Sequence, residues 1–175
     1  MNHLDHVKLL RKGIQTPGGV WADLGAGAGA FTLALADLIG PTGSIYAVDK
    51  DAGSLRQLEH SMHTLFPDST LRCLTIDFTR SLDLPLLDGV VMANSLHYVR
   101  KKDEMLQRVY AYLRPGGKLL LVEYNVDAGN PWVPYPLSYP SWEKLAGRNG
   151  FGGTRLLEKV PSRFLREMYA AESTR

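Results

Sequence analysis

The residues best placed to do chemistry lie between Val20 and Thr32. Asp23 follows the apolar Val20, Trp21 and Ala22. Gly25, Ala26, Gly27, Ala28 and Gly29 then form a stretch of almost no side-chain bulk. Glycine tolerates positive φ and lets a ligand approach bare backbone. The apolar residues after it (Phe31, Leu33, Leu35, Leu38 and Ile39 on an alanine background) read as a helix. A helix start offers unpaired N–H groups and a partial positive charge. Strand, glycine turn and helix together suit a nucleotide-like or carboxylate-bearing ligand. Gly25-x-Gly27-x-x-Ala30 meets the loose dinucleotide fingerprint. An acid two residues before the first glycine, however, suits a cationic ligand group and is awkward beside a pyrophosphate.

Further candidates follow in chain order. Asp49 closes the apolar run Ser44 to Val48, 24 residues past Gly25. An acid there can accept both hydroxyls of a ribose, or it is a helix N-terminal acid favoured by the dipole. Asp77 closes the run Thr70 to Ile76 and reads equally as a turn residue bonding its own backbone. His97 is the candidate general base, because imidazole titrates near about 6.5. The alternative is a packed, satisfied histidine. His60 and His63 lie on a polar helix face with no third ligand, so no metal is expected. Cys73 reads as a small filler in a strand.

These residues need elements to hold them. Leu4, Val7, Leu10 and Ile14 recur at helical spacing and predict a short helix over 2–13. Leu55, Leu58, Met62 and Leu65 predict a helix over 51–66 that buries that face. Asp88 to Ala93 reads as a central strand buried on both sides, with Asp88 at its structural end. A helix that Asp103 caps follows Arg100, Lys101 and Lys102, and buries Leu106, Val109, Tyr110 and Leu113. Ser138 or Ser141 caps a last helix running to Arg148. Two strands, Thr154 to Lys159 and Arg163 to Ala170, are joined by Val160, Pro161 and Ser162. The expected fold is a Rossmann-like three-layer α/β sandwich. Its seven-stranded sheet is mostly parallel.

Asp23-x-Gly25-x-Gly27-x-Gly29, Asp49 and the turn Leu113-Arg114-Pro115-Gly116-Gly117 before an apolar strand resemble class I S-adenosylmethionine-dependent methyltransferases. The likeness runs over about residues 18–170 and is greatest to the type 11 small-molecule group that includes quinone-biosynthesis enzymes. It implies the sheet order 3-2-1-4-5-7-6 with strand 7 antiparallel. It implies S-adenosylmethionine as cofactor, with a sulfonium and ammonium for acids and a carboxylate for the helix start. It implies cofactor contacts at Asp23, Gly25, Ala26, Gly27, Gly29, Asp49 and Lys50. Asp77 would accept the adenine amino group with Phe78 as its neighbour, and Asn94 would meet the methionine part. His97 and Tyr98 would face the acceptor. An Asn/Asp-Pro-Pro-Tyr pattern is missing after strand 4, which counts against DNA adenine. The rivals are a non-catalytic, cofactor-binding partner subunit and a nicotinamide oxidoreductase.

The chain is expected to be one domain. It comprises a short N-terminal helix (1–17), a cofactor core (18–124), an aromatic- and proline-rich lid (125–140), and a last helix with an edge hairpin (141–175). The short N-terminus leaves the acceptor pocket open or closed by something else. Homodimerisation and a partner subunit stay open. The 175 residues carry 20 basic and 18 acidic side chains, a net charge of +2 that gives no argument for nucleic acid. One cysteine excludes an internal disulfide. The charged N-terminus does not resemble a signal peptide, and no apolar run approaches about 18 residues. The expectation is a soluble, cytoplasmic enzyme acting on a small-molecule methyl acceptor.

Overall fold

Residues 119–122 are apolar and fully buried, although their side chains point alternately to opposite faces. Such a strand needs a layer of helices on each side. The computed structural model describes residues 1–175 and supplies both layers. The strands are β1 (Gly19–Leu24), β2 (Gly43–Asp49), β3 (Thr70–Thr75), β4 (Leu87–Ala93), β5 (Leu113–Tyr124), β6 (Gly152–Ser162) and β7 (Arg166–Thr174). They form one sheet in the order β3-β2-β1-β4-β5-β7-β6, and β7 runs antiparallel to both neighbours. The predicted order and direction are those observed.

Helices α1 (His3–Arg11), α2 (Ala30–Ile39) and α3 (Ala52–Leu65) cover one face, packing on Val91, Ala93, Leu120 and Val122. Helices α4 (Lys102–Tyr112) and α5 (Tyr139–Arg148) cover the other, packing on Val90, Met92, Leu119 and Leu121. Local signals set the helix starts. Asn2 and Asp5 form a reciprocal capping box on α1. Asp51 accepts from the N–H groups of Gly53 and Ser54 at α3, and Ser138 caps α5.

Several expectations are corrected. Leu4 and Leu65 face solvent, each in the outermost turn of its helix, and Leu9 joins Val7 and Leu10 in the core. Asp103 does not cap α4. It lies inside the helix and forms a two-point ion pair with Arg148 while also accepting from Asn149. The final hairpin turns at residues 163–165 rather than 160–162, so Pro161 sits in the ladder opposite Glu167. Proline lacks an N–H, but β6 is an edge strand and its outer side needs no donor. Cys73 is half-buried beside Glu59, and burial of its thiol pushes its pKa up to about 12. His60 and His63 are exposed on α3.

The centre of the sheet is tight. Trp21 of β1 is paired with Gly89 of β4, and its indole lies where a Gly89 side chain would go. Gly89→Ala is therefore expected to destabilise the fold by about 1–3 kcal/mol through overpacking. Urea unfolding would show this as a lower midpoint with an unchanged slope.

Candidate active site

The parallel register brings the carboxyl ends of β3, β2, β1 and β4 to one edge. One cavity of about 330 Å³ opens there. Gly25, Asp49, Lys50, Asp77 and Phe78 line it, joined by Asn94 and Tyr98. Thr79 and Ser95 also line it, and neither stood out in the sequence. A second cavity of about 350 Å³ opens elsewhere, beside Gly18, Trp21 and Asp88 near the amino ends of β1 and β4. Its lysine, Lys118, is already committed to the Gly13 carbonyl and Glu172.

The glycine turn is held from two sides. Gly25 and Ala26 donate their N–H groups to the Val48 carbonyl at 2.8 and 3.1 Å. Gly27 donates to Asp49 Oδ2 at 2.8 Å, and Asp51 donates to Asp49 Oδ1 at 2.9 Å. The Asp49 carboxylate is thus fixed by backbone before any ligand arrives, with a lone pair still free on each oxygen. Gly27 has φ +52°, and the space where its side chain would stand is empty. A Cβ on Gly25 would lie 2.5 Å from Ser95 Cβ, so close packing requires that glycine. Two turn residues predicted as cofactor contacts have packing roles. Ala26 is buried in the core, and Gly29 lies against Leu58, with which any side chain would collide.

Asp23 sits beneath the turn, 1% exposed, and accepts from the Thr32 hydroxyl at 2.6 Å. Burial raises its pKa to about 6. The Thr32 hydrogen bond opposes this shift and the charge of Asp49 adds to it. Asp77 is held the opposite way. The hydroxyl and N–H of Thr79 both donate to its Oδ1, which lowers its pKa and leaves Oδ2 uncommitted. Asn94 has φ +53°, a strained value for a side-chain-bearing residue, and its Oδ1 is buried with no donor.

His97 lies in a single 3-10 turn, Leu96–Tyr98, directly after β4. It is 2% exposed and faces Glu123, which is fully buried at the end of β5. Glu123 Oε1 accepts the His97 backbone N–H at 3.0 Å, and Oε2 lies 2.7 Å from Nδ1. A carboxylate there accepts from Nδ1–H, which leaves the lone pair on Nε2. Nε2 makes no hydrogen bond, and His97 does not itself line the cavity, although its neighbours Ser95 and Tyr98 do. The sequence reading missed Glu123. In the sequence it shows only as an acid after the apolar run 119–122.

The expected lid does not line the cavity: none of residues 125–140 does. The Tyr135 N–H donates to the His97 carbonyl at 3.0 Å, and Lys102 Nζ bonds the carbonyls of Val99 and Tyr135. The loop packs against the outside of the His97 turn.

Comparison with known proteins agrees with this geometry. Residues 22–119 match the profile of a family described as a methyltransferase domain. An arsenite methyltransferase of Aquipseudomonas alcaligenes is 31% identical over 160 residues, covering 79% of this chain and 46% of that protein. A ubiquinone/menaquinone biosynthesis C-methyltransferase of Pasteurella multocida is 28% identical over 126 residues, covering 62% of this chain and 41% of that protein. The chain thus spans less than half the length of these curated relatives. Among solved structures, a SAM-dependent methyltransferase from Aquifex aeolicus superposes with a TM-score of 0.76 at 19% identity. That match covers 97% of this chain and 89% of the other. No helix is long and apolar enough to cross a membrane.

The buried Asp23 carboxyl makes stability depend on pH. An unfolded aspartate titrates near about 3.9, whereas Asp23 in the fold titrates near about 6. Between these values the native state holds a proton that the unfolded state has lost, so stability falls as pH rises. Asp23→Asn removes this loss. Relative to the wild type, the variant should gain up to about 3 kcal/mol as pH rises from about 4 to about 7, at about 1.4 kcal/mol per pKa unit. Parallel urea-stability profiles for the two proteins would mean that the Asp23 carboxyl is hydrated.

Proposed function

The chain belongs to the family of methyltransferase domains, and from that premise we propose that it moves a methyl group from S-adenosylmethionine to a small-molecule acceptor. The observation that carries this reading is the single cavity where Asp49, Asp77 and Asn94 meet beside the open backbone of Gly27. These residues fit the cofactor. Asn94 Oδ1 is an orphaned acceptor that needs a donor such as the methionine ammonium. Asp49 keeps a lone pair on each oxygen for the two ribose hydroxyls. Asp77 Oδ2 is free for the adenine amino group, and Phe78 offers its ring beside it. The empty space over Gly27 admits a ligand to the turn backbone.

The bound sulfonium supplies an activated methyl group. The protein then has to align an acceptor and, where that acceptor carries a proton, remove it. Orientation alone is worth about 7–11 kcal/mol in well-held systems. Nε2 of His97 is the acceptor for that proton. Glu123 fixes the ring through Nδ1–H and the backbone N–H, and it stabilises the imidazolium that forms. The buried acid thus plays a supporting part, and the imidazole does the proton transfer. Tyr98, whose ring centre lies 4.3 Å from that of His97, lines the cavity. Membership of the methyltransferase family sets aside the nicotinamide reading.

The direct test is calorimetric titration with S-adenosylhomocysteine, with NADH as the control. Binding of the first alone is expected, and binding of NADH alone would overturn the proposal. Asp49→Ala should weaken S-adenosylhomocysteine binding by about 10- to 100-fold, as befits lost hydrogen bonds to a charged group. His97→Ala should leave that affinity unchanged and lower turnover by about 10²–10⁴-fold, the range for a positioned base. A radiolabelled methyl donor offered with a panel of phenols, thiols and amines gives the turnover. Unchanged turnover would remove His97 from the mechanism.

A further inference from the structure

The exposed aromatic side chains of this chain collect in one place. Tyr98, Trp132 and Phe164 are 60%, 69% and 51% exposed, and Tyr135 is also exposed. The other large apolar residues at the surface (Met1, Leu4, Leu65, Leu86 and Leu156) are aliphatic. The rings form a continuous series. Tyr98 lies 4.3 Å from the His97 ring, and His97 lies 6.1 Å from Tyr124. Tyr124 meets Phe164 edge-to-face at 5.8 Å, and Phe164 meets Trp132 at 6.4 Å and 88°. The series begins at the cofactor cavity, which Tyr98 lines, and passes the His97 ring, which is 2% exposed. It ends on the tip of the β6–β7 hairpin and on the proline-rich loop.

The supports are ordered. Asn130 Oδ1 accepts the N–H groups of both Trp132 and Val133. The hairpin carrying Phe164 turns through Arg166 at φ +65°. Ring edges meeting ring faces leave other faces free, and a free aromatic face prefers another ring. An aromatic surface of this kind, continuous with a ligand cavity, marks a binding site rather than scattered exposure.

We propose that Tyr98, Tyr124, Phe164 and Trp132 form the acceptor platform, and that the acceptor is a planar aromatic molecule. The acceptor packs against these rings where they adjoin the cavity that Tyr98 lines. This inference rests on the methyl-transfer reading above. It assigns the specificity to Phe164 and Trp132, which touch neither the cofactor cavity nor the His97–Glu123 pair.

The experiment uses the full chain saturated with S-adenosylhomocysteine. Calorimetry compares 2-naphthol with its saturated counterpart, decahydro-2-naphthol. The aromatic probe should bind about 2- to 10-fold tighter, the scale of ring–ring preference. It should also shift the indole N–H signal of Trp132, assigned through Trp132→Phe, and leave those of the buried Trp21 and Trp142 in place. Phe164→Leu should weaken 2-naphthol by about tenfold and leave S-adenosylhomocysteine affinity unchanged. Equal affinity for the two probes, or no effect of Phe164→Leu, overturns the platform and leaves the methyl-transfer reading intact. Failure of S-adenosylhomocysteine to bind removes both. Sedimentation showing that Phe164→Leu turns a dimer into a monomer would make the patch a self-association surface and overturn the proposal.

Discussion

The arrangement depends on the register of five parallel strands. Thr75 pairs with Asp49, Val48 with Leu24, Asp23 with Val91, and Ala93 with Val122. The inner strands β1, β4 and β5 are covered on both faces, so a polar side chain within them has no partner except its own kind. Where the ladder stops, that restriction lifts. Because the ladders stop nearly level, Asp77, Asp49, Asn94 and Glu123 follow one another along a single edge. None of these residues has to be brought to the site by a special loop. The hydrophobic pairing that folds the sheet also delivers the polar groups.

Three of the site's features work against stability. Asp23 and Glu123 are carboxyls with almost no exposure, and Asn94 combines a strained backbone with an unpartnered oxygen. Each carboxyl is held by a local partner, Thr32 for Asp23 and His97 for Glu123. Burying a charged group is costly even when it is paired, and removing its partner is costlier still. The fold has no use of its own for such groups, since apolar side chains would fill the same space at lower cost. Their presence at one edge of an otherwise apolar sheet is an argument for a ligand there. It does not depend on resemblance to any other protein.

Much of this was legible because it is local. The glycine turn, Asp49 and the strand alternation each declare themselves within a few residues, and the strand order came with the family resemblance that those motifs carry. Glu123 was not, because what identifies it is a partner 26 residues away whose approach depends on the β4–β5 pairing. The same limit explains Asp103. Its place near a helix start looks like a cap, but Arg148 and Asn149 on the neighbouring helix claim it. Leu4 and Leu65 fit the helical period, yet the period alone does not show where the sheet's cover ends. Ala26 and Gly29 fit the motif's spacing, but the core and Leu58 take up the space around them.

The proline-rich loop shows how composition can suggest one role and geometry another. Its aromatics and prolines read as a cover for the cavity. In the structure its backbone is tied to the turn that carries His97. That turn is only three residues long and has no helix to stiffen it. Its rigidity comes from neighbours: Ser95 Oγ donates to the Leu24 carbonyl, Glu123 takes the His97 N–H, and Tyr135 donates to the His97 carbonyl. Lys102 closes the set by bonding Val99 and Tyr135 together. A proton acceptor is useful only if its ring stays where the substrate will be, and fixed surroundings avoid the cost of reorganising at the moment of reaction. The prolines therefore make sense as stiffeners of a brace. The same brace holds Trp132 beside the hairpin tip, so the element that fixes the His97 turn also builds the surface beyond it.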